Sequence, residues 1–244
     1  MISVCIPTYN GERFILEQLL SILKQIEITD EVIISDDGST DSTISIIQSL
    51  QDARIKIYFN ERSELREKYK FMFTTRNLEN ALNHAKGDYI FLADQDDIWM
   101  DGKVRVILNE LNDNLLVLSD CNIIDSSDRV ISQSYFKINN SRKGFFKNLF
   151  KNSYLGCCMA FRKELLPSVL PISSSLVPHD IWIGLLAERS GTVKFIEKQL
   201  VSYRRHSDNV SPSGGKSSNG LFFKMSYRAN FITAYFRRVL IKIS

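Results

Sequence analysis

Short apolar runs rich in β-branched residues alternate with amphipathic stretches through the first half of this chain, and each run ends in a polar turn. Ile2 to Ile6 is closed by Pro7, Asn10 and Gly11, and residues 12–25 then repeat Phe14, Leu19, Leu20 and Leu23 at helical spacing. The unit recurs, with Glu31 to Ser35 as strand, Asp36-Asp37-Gly38-Ser39 as turn, and a helix from Thr40 or Asp41 carrying Ile44, Ile47 and Leu50. Residues 55–59, a helix over 76–86 and the strand Tyr89 to Ala93 continue it. Continuous β-branched runs alternating with amphipathic helices indicate strands covered on both faces, which predicts an α/β fold: a Rossmann-like, mostly parallel sheet with helices on both faces. Ligands of such sheets bind beyond the carboxyl ends of the strands.

The remainder reads as a helix over 101–112, a strand at 115–119, an antiparallel strand near 129–134, a helix near 144–151 and a strand at 154–161. A helix over 180–189 and strands at 193–196 and 199–204 close the body. The Ser/Gly/Asn-rich stretch 211–220 reads as a linker before a last helix over 221–244. With 244 residues, 44% of them hydrophobic, the chain can bury a full core. No window reaches the roughly 18 consecutive apolar residues of a membrane span. The opening Met1 to Ile6 has no basic leader, so a cytoplasmic protein is expected, peripheral on the inner face of the membrane if the tail binds lipid. Cys5, Cys121, Cys157 and Cys158 have no metal-ligand spacing and read as buried free thiols.

Asp94-Gln95-Asp96-Asp97 directly follows an apolar strand, which places three carboxylates where the sheet opens to its ligand crevice. Such charge density calls for a counterion, and hard divalent cations, Mg²⁺ or Mn²⁺, prefer carboxylate oxygens and share substrate phosphates. The competing reading is a solvated loop that serves only the next helix. Asp36-Asp37 follows the second strand and is expected on the same rim, where a carboxylate can accept from a base or a ribose hydroxyl while Ser39, Thr40 or Asp41 caps the helix. Neither a G-x-G-x-x-G turn nor a Walker-type lysine loop is present, so metal and cationic side chains have to hold any diphosphate.

Four ordered motifs, Val4-Cys5-Ile6-Pro7-Thr8-Tyr9-Asn10, Ile34-Ser35-Asp36-Asp37-Gly38-Ser39-Thr40-Asp41, Gly87-Asp88-Tyr89-Ile90-Phe91-Leu92 and Asp94-Gln95-Asp96-Asp97-Ile98-Trp99, resemble family 2 glycosyltransferases of the GT-A fold over residues 1–210. The Asp-Gln-Asp-Asp-Ile-Trp form and Tyr203-Arg204-Arg205-His206 resemble the bacterial rhamnosyltransferase-like branch. The resemblance implies that Pro7, Thr8 and Asp37 contact the nucleoside, that Asp94 and Asp96 form the D-x-D pair at ribose and metal-bound diphosphate, and that Asp97 is an alternative ligand. Asn10, Glu12, Arg76 and Gln95 complete the expected donor-nucleotide set, and His206 joins Asp96 as a metal candidate. Arg204 and Arg205 are diphosphate candidates; Trp99, His179 and Trp182 are assigned to the acceptor side. In His179-Asp180-Ile181-Trp182 the general base falls on Asp180, because His179 occupies the place where the family often carries a second acid. The competing reading of His179-Asp180 is an N-cap for the helix that follows, where the helix N-terminus would also keep Asp180 ionised.

These assignments describe an inverting transferase that moves a sugar, rhamnose or a hexose, from a dTDP- or UDP-sugar to a saccharide or lipid-linked acceptor in bacterial surface polysaccharide synthesis. A sugar nucleotidyltransferase is the first alternative, although Pro7-Thr8-Tyr9-Asn10-Gly11-Glu12 lacks its Gly-rich cationic loop. A catalytically inactive sugar-nucleotide-binding scaffold is the second. Residues 203–244 carry eight Lys/Arg against one acid, and from Leu221 there are five basic residues and no acid. At ~100° per residue, Lys224, Arg228, Arg238 and Lys242 share one side of a helix whose other surface is largely apolar. An anionic membrane is the expected partner of that helix, with docking on the catalytic domain or homodimer formation as alternatives. Nucleic acid is not expected, because an acidic crevice repels phosphates.

Overall fold

The computed structural model describes residues 1–60, 70–172, 177–206 and 221–241. The 211–220 linker lies outside them. In chain order the elements are β1 (Ile2–Thr8), α1 (Ile15–Leu23), β2 (Glu31–Asp36), α2 (Thr43–Ser49), β3 (Ile55–Phe59), α3 (Lys70–His84), β4 (Tyr89–Leu92), β5 (Ile98–Trp99) and α4 (Lys103–Leu111). They continue as β6 (Leu116–Ile124), β7 (Val130–Ser132), α5 (Tyr135–Asn139), α6 (Phe145–Phe150), β8 (Met159–Arg162), α7 (Leu166–Val169), α8 (His179–Ser190), β9 (Val193–Arg204) and α9 (Leu221–Ile241).

One sheet runs β3-β2-β1-β4-β8-β6-β9-β5, with β7 beside β6. β1 and β2 are buried at every position, as two-sided coverage requires. β1 to β4 pair in parallel, and their register matches Thr8 to Asp36 and Cys5 to Leu92. Parallel strands in that register end together, so the turns after β1, β2 and β4 share one rim. The sheet is more mixed than the apolar runs suggested. The chain enters β8 through a 3₁₀ turn at Gly156–Cys158, on the rim side, and therefore runs antiparallel to both β4 and β6. The two strands expected at 193–196 and 199–204 are one strand, β9, whose register against β6 shifts between Ser119 and Asp120.

α9 is not a free-standing tail. Phe231 is fully buried and sets its ring edge-on to Trp182 of α8 at 6.3 Å, and Tyr235 packs on Phe145 at 5.0 Å. Arg238 donates to the Leu170 carbonyl at 2.7 Å, and Arg228 donates to the Leu149 carbonyl at 3.3 Å. The docked alternative therefore holds for this helix. Phe231→Ala should cost about 3–5 kcal/mol, the usual result of emptying a core aromatic site. Urea unfolding checks it, and an unchanged midpoint would mean that α9 contributes nothing to the core. Among the described residues no helix is long and apolar enough to cross a membrane.

Candidate active site

The rim is built by backbone geometry first. Asp37 donates its N–H to the Thr8 carbonyl at 3.0 Å and Ala93 donates to Cys5 at 3.1 Å, which clamps the three turns side by side. Asp36 turns inward: its carboxylate accepts from Gly38 N–H, Ser39 N–H and the hydroxyls of Thr8 and Ser39, at 2.6–3.0 Å. Asp41 accepts from Thr43, and Glu12 accepts from Ser42 N–H at 2.9 Å, so α2 is capped by both carboxylates. Glu12 and Asn10, which accepts from Thr40 N–H at 2.8 Å, thus brace the second turn, whatever else they touch. Asp37 remains at the rim, buried, and accepts from Asn60 Nδ2 at 2.7 Å.

The acidic loop is held from below by α1. Gln18 donates to the Asp94 carbonyl at 2.7 Å, and Ser21 Oγ accepts from Trp99 N–H at 2.9 Å. Gln95 forms a two-way bridge with the Tyr9 backbone, accepting from its N–H at 2.9 Å and donating to its carbonyl at 3.1 Å. A methyl on Gly11 would stand 2.5 Å from the Gln95 amide oxygen, so Gly11 is what lets the first and third turns touch. Arg204 is a strut and not a free cation. It is 1% exposed, its N–H donates to Asp97 Oδ1 and its Nε to the Asp96 carbonyl, both at 2.8 Å. Its guanidinium also meets Glu17 at 2.8 Å, pairs with Asp128, and lies 4.5 Å over the Phe14 ring. The diphosphate expectation for Arg204 fails on that occupancy. Arg205 is half-buried, with its N–H on the Ile124 carbonyl. Arg76 pairs with Glu79 at 2.7 Å and donates to the Ile172 carbonyl, beside α7.

Asp96 and His206 do come together. Nε2 lies 2.8 Å from Asp96 Oδ2, and the imidazole rests on Phe14 at 5.3 Å. Burial and the neighbouring Asp96 push Asp94 up to about 7, and burial raises Asp97 well above the carboxylate range. Asp97 Oδ2 is buried without a hydrogen-bond partner. A second set of donors, Asp94, Asp97 and Cys157, also converges within 4.8 Å. Burial holds the Cys157 thiol well above its ordinary value, and Lys103 donates to the Cys157 carbonyl at 2.8 Å, so this set is a poor host for a hard cation. Carboxylates at the rim suit Mg²⁺ or Mn²⁺, and the Asp96 charge that adds to burial in raising Asp94 is negative charge a cation would compensate.

Across the rim, Asp180 sits in the first turn of α8 and accepts from Ile181 N–H at 2.7 Å and from Asn152 Nδ2 at 2.8 Å. Burial outweighs both bonds and the helix N-terminus, and pushes it up to about 6. At that value Asp180 is still largely ionised near pH 7, although the helix end does not hold it in the ordinary carboxylate range. The Asp180 carboxylate also stands near enough to Asp94 to disfavour ionisation of that acid. His179 faces Thr75 at 3.3 Å, and burial lowers it to about 4, so it is neutral near pH 7. Trp99 and Trp182 are core residues, not acceptor contacts: both are fully buried, Trp182 donates to the Val169 carbonyl at 2.9 Å, and Trp99 lies under the Lys103 ammonium at 4.5 Å. A hollow of about 400 Å³ between Asp88, Leu111 and Arg162 lies at the opposite end of β4 and takes no part.

Comparison with known proteins finds relatives over most of the chain. The chain is 26% identical over 195 residues to a UDP-Glc:α-D-GlcNAc-diphosphoundecaprenol β-1,3-glucosyltransferase of Escherichia coli, covering 78% of this chain and 71% of that one. It is 26% identical over 223 residues to a dTDP-rhamnosyl transferase of Shigella flexneri, covering 83% and 72%. The crystal structure of S. aureus TarS 1–349 in complex with UDP-GlcNAc superposes with a TM-score of 0.63 at 21% identity, over 97% of this chain and 72% of that one, and shares the GT-A fold. The glycosyl transferase family 2 model matches residues 3–170. This chain is a glycosyltransferase and belongs to glycosyl transferase family 2.

Proposed function

We propose that the protein is an inverting transferase using a dTDP- or UDP-sugar and Mg²⁺ or Mn²⁺, with a saccharide or lipid-linked acceptor. One observation carries the reading: two acidic stations face each other across one rim. Asp96 with His206 and Asp37 stand on the strand-end side, and Asp180 with Asn152 stands on α8. Asp37, with Pro7 and Thr8 beneath it, receives the nucleoside; Asp94 and Asp96 face the ribose and diphosphate. Asp96 and His206 would hold the cation, which when bound supplies positive charge to the departing diphosphate. Asp180 accepts the proton of the acceptor hydroxyl as its oxygen attacks the anomeric carbon; the carbon–oxygen bond to the diphosphate breaks, and its electron pair leaves with the nucleotide. Inversion follows from attack on the face opposite that bond. The names of the two bacterial relatives, one dTDP-dependent and one acting on a diphosphoundecaprenol-linked sugar, support the donor base and the acceptor class.

Calorimetric titration with dTDP, UDP and GDP, each with and without Mn²⁺ or Mg²⁺, tests the reading. One of the first two should bind, and bind better with the cation. Absence of binding under every condition would overturn this reading.

A further inference from the structure

α6 and α9 together present an apolar face that the core does not use. Phe146 is 74% exposed and Phe150 67% on α6; Met225, Phe236 and Leu240 on α9 are 61%, 50% and 62% exposed. The two helices are in contact along this face. Phe145 lies 6.4 Å from Phe236, and the Arg228 guanidinium stands 4.7 Å over the Phe150 ring while donating to the Phe150 carbonyl. Single exposed apolar side chains are ordinary, but five on two touching helices form a patch. The charge on the two helices themselves has one sign. Residues 142–151 carry four basic residues and no acid, and Arg142, Lys143, Lys151 and Arg237 are exposed.

Position relative to the base gives the patch its meaning. α6 lies antiparallel on α8: Gly144 N–H at its start bonds Glu188 at 2.7 Å, and Asn152 just past its end bonds Asp180 at 2.8 Å. Phe150 is thus two residues from the side chain that holds the proposed base. Tyr227 of α9 also reaches this end, since burial and the Asp180 carboxylate both raise its phenol.

We propose that the α6/α9 face is a membrane-contact surface for anionic lipid, and that it seats the Asp180 end of the crevice at the bilayer, where a lipid-linked acceptor resides. Aromatic and aliphatic side chains enter the headgroup boundary while the surrounding cations meet anionic headgroups. The occupant is a lipid surface, because exposed aromatic and aliphatic side chains on both helices stand beside exposed cations, the combination that suits an anionic headgroup layer. The inference deepens the lipid-linked acceptor reading and rests on it for its purpose, but not for its test. It also replaces the tail alone as the contact: removing α9 would uncover Trp182, so point changes are the sound probes.

Co-sedimentation with phosphatidylcholine vesicles, with and without phosphatidylglycerol, should show binding that depends on the anionic lipid. Phe146→Glu/Phe150→Glu on α6, and separately Phe236→Glu on α9, should each weaken it about tenfold while calorimetric nucleotide binding stays unchanged. Wild-type indifference to phosphatidylglycerol, or full vesicle binding by the variants, would overturn the proposal. So would light scattering that shows a dimer lost in the same variants without any effect on vesicles. Failure of vesicle binding with intact nucleotide binding leaves the transferase reading standing; loss of nucleotide binding with intact vesicle binding does the reverse.

Discussion

Asp180→Asn is expected to lower turnover by roughly a hundred- to ten-thousandfold, the range that a positioned general base contributes, and to leave nucleotide affinity where it was. The two readouts separate because the residue stands on α8, across the rim from the turns after β1, β2 and β4. The amide keeps the volume and can accept one of the two hydrogen bonds that Asp180 receives from Ile181 and Asn152, but it cannot take a proton. The pH dependence has a definite sign. Burial raises the Asp180 pKa to about 6, so the competent carboxylate is depleted as pH falls through about 6 and is fully present above it. The wild-type rate should therefore climb across that value, and the residual rate of Asp180→Asn should not. An Asn variant with full turnover would remove Asp180 from the reaction; one that also lost nucleotide binding would make it a structural residue.

Asp96→Asn is expected to abolish the cation-dependent part of nucleotide binding, weakening affinity in Mn²⁺ by at least about tenfold to a hundredfold, with little change when cation is withheld. Asp96 is the carboxylate that meets His206, and after burial its charge is the next cause that raises Asp94. Its neutralisation should leave Asp94 more readily ionised, so the variant keeps an acid at the rim and still loses the paired donor. His206→Ala should follow the same pattern to a smaller extent. Titration of the purified variants with nucleotide at fixed Mn²⁺ decides it: an Asp96→Asn protein that still responds to cation would move the binding site to other donors.

Much of the fold was legible because covered strands and capped helices leave local marks. The runs at β1, β2 and β4, and the acid turns after them, were each readable within a few residues. Long-range partnership was not. Nothing near Arg204 in the sequence says that its guanidinium meets Glu17 and Asp128, so its excess charge looked available for phosphate. Trp99 and Trp182 looked surface-bound because each sits beside polar motifs, yet the helix and strand that carry them turn the rings inward. Gln18 and Ser21 left a signal that went unused: two polar residues three apart, on the apolar stripe of α1, have to face buried polar backbone, which is the acidic loop. Asn152 left none, since the fold alone carries it to Asp180. The C-terminal stretch was apolar enough to suggest lipid, and its inner side answers to Trp182 instead.

The strut made by Arg204 also imposes an order on the making of the protein. Its N–H bonds to Asp97 span 107 residues of chain, and its reach to Glu17 spans 187. Ribosomes deliver chain from the amino terminus at about 5–20 residues per second, so the acidic loop is synthesised well before the residue that fixes it. A nascent chain can assemble β1 to β4 and seat the acidic loop on Gln18 and Ser21 early, but Asp96 and Asp97 gain their contacts with Arg204 and His206 only when β9 is inserted beside β6. The site proposed for donor and metal is therefore completed only at the end of folding, when the Asp96–His206 pair forms.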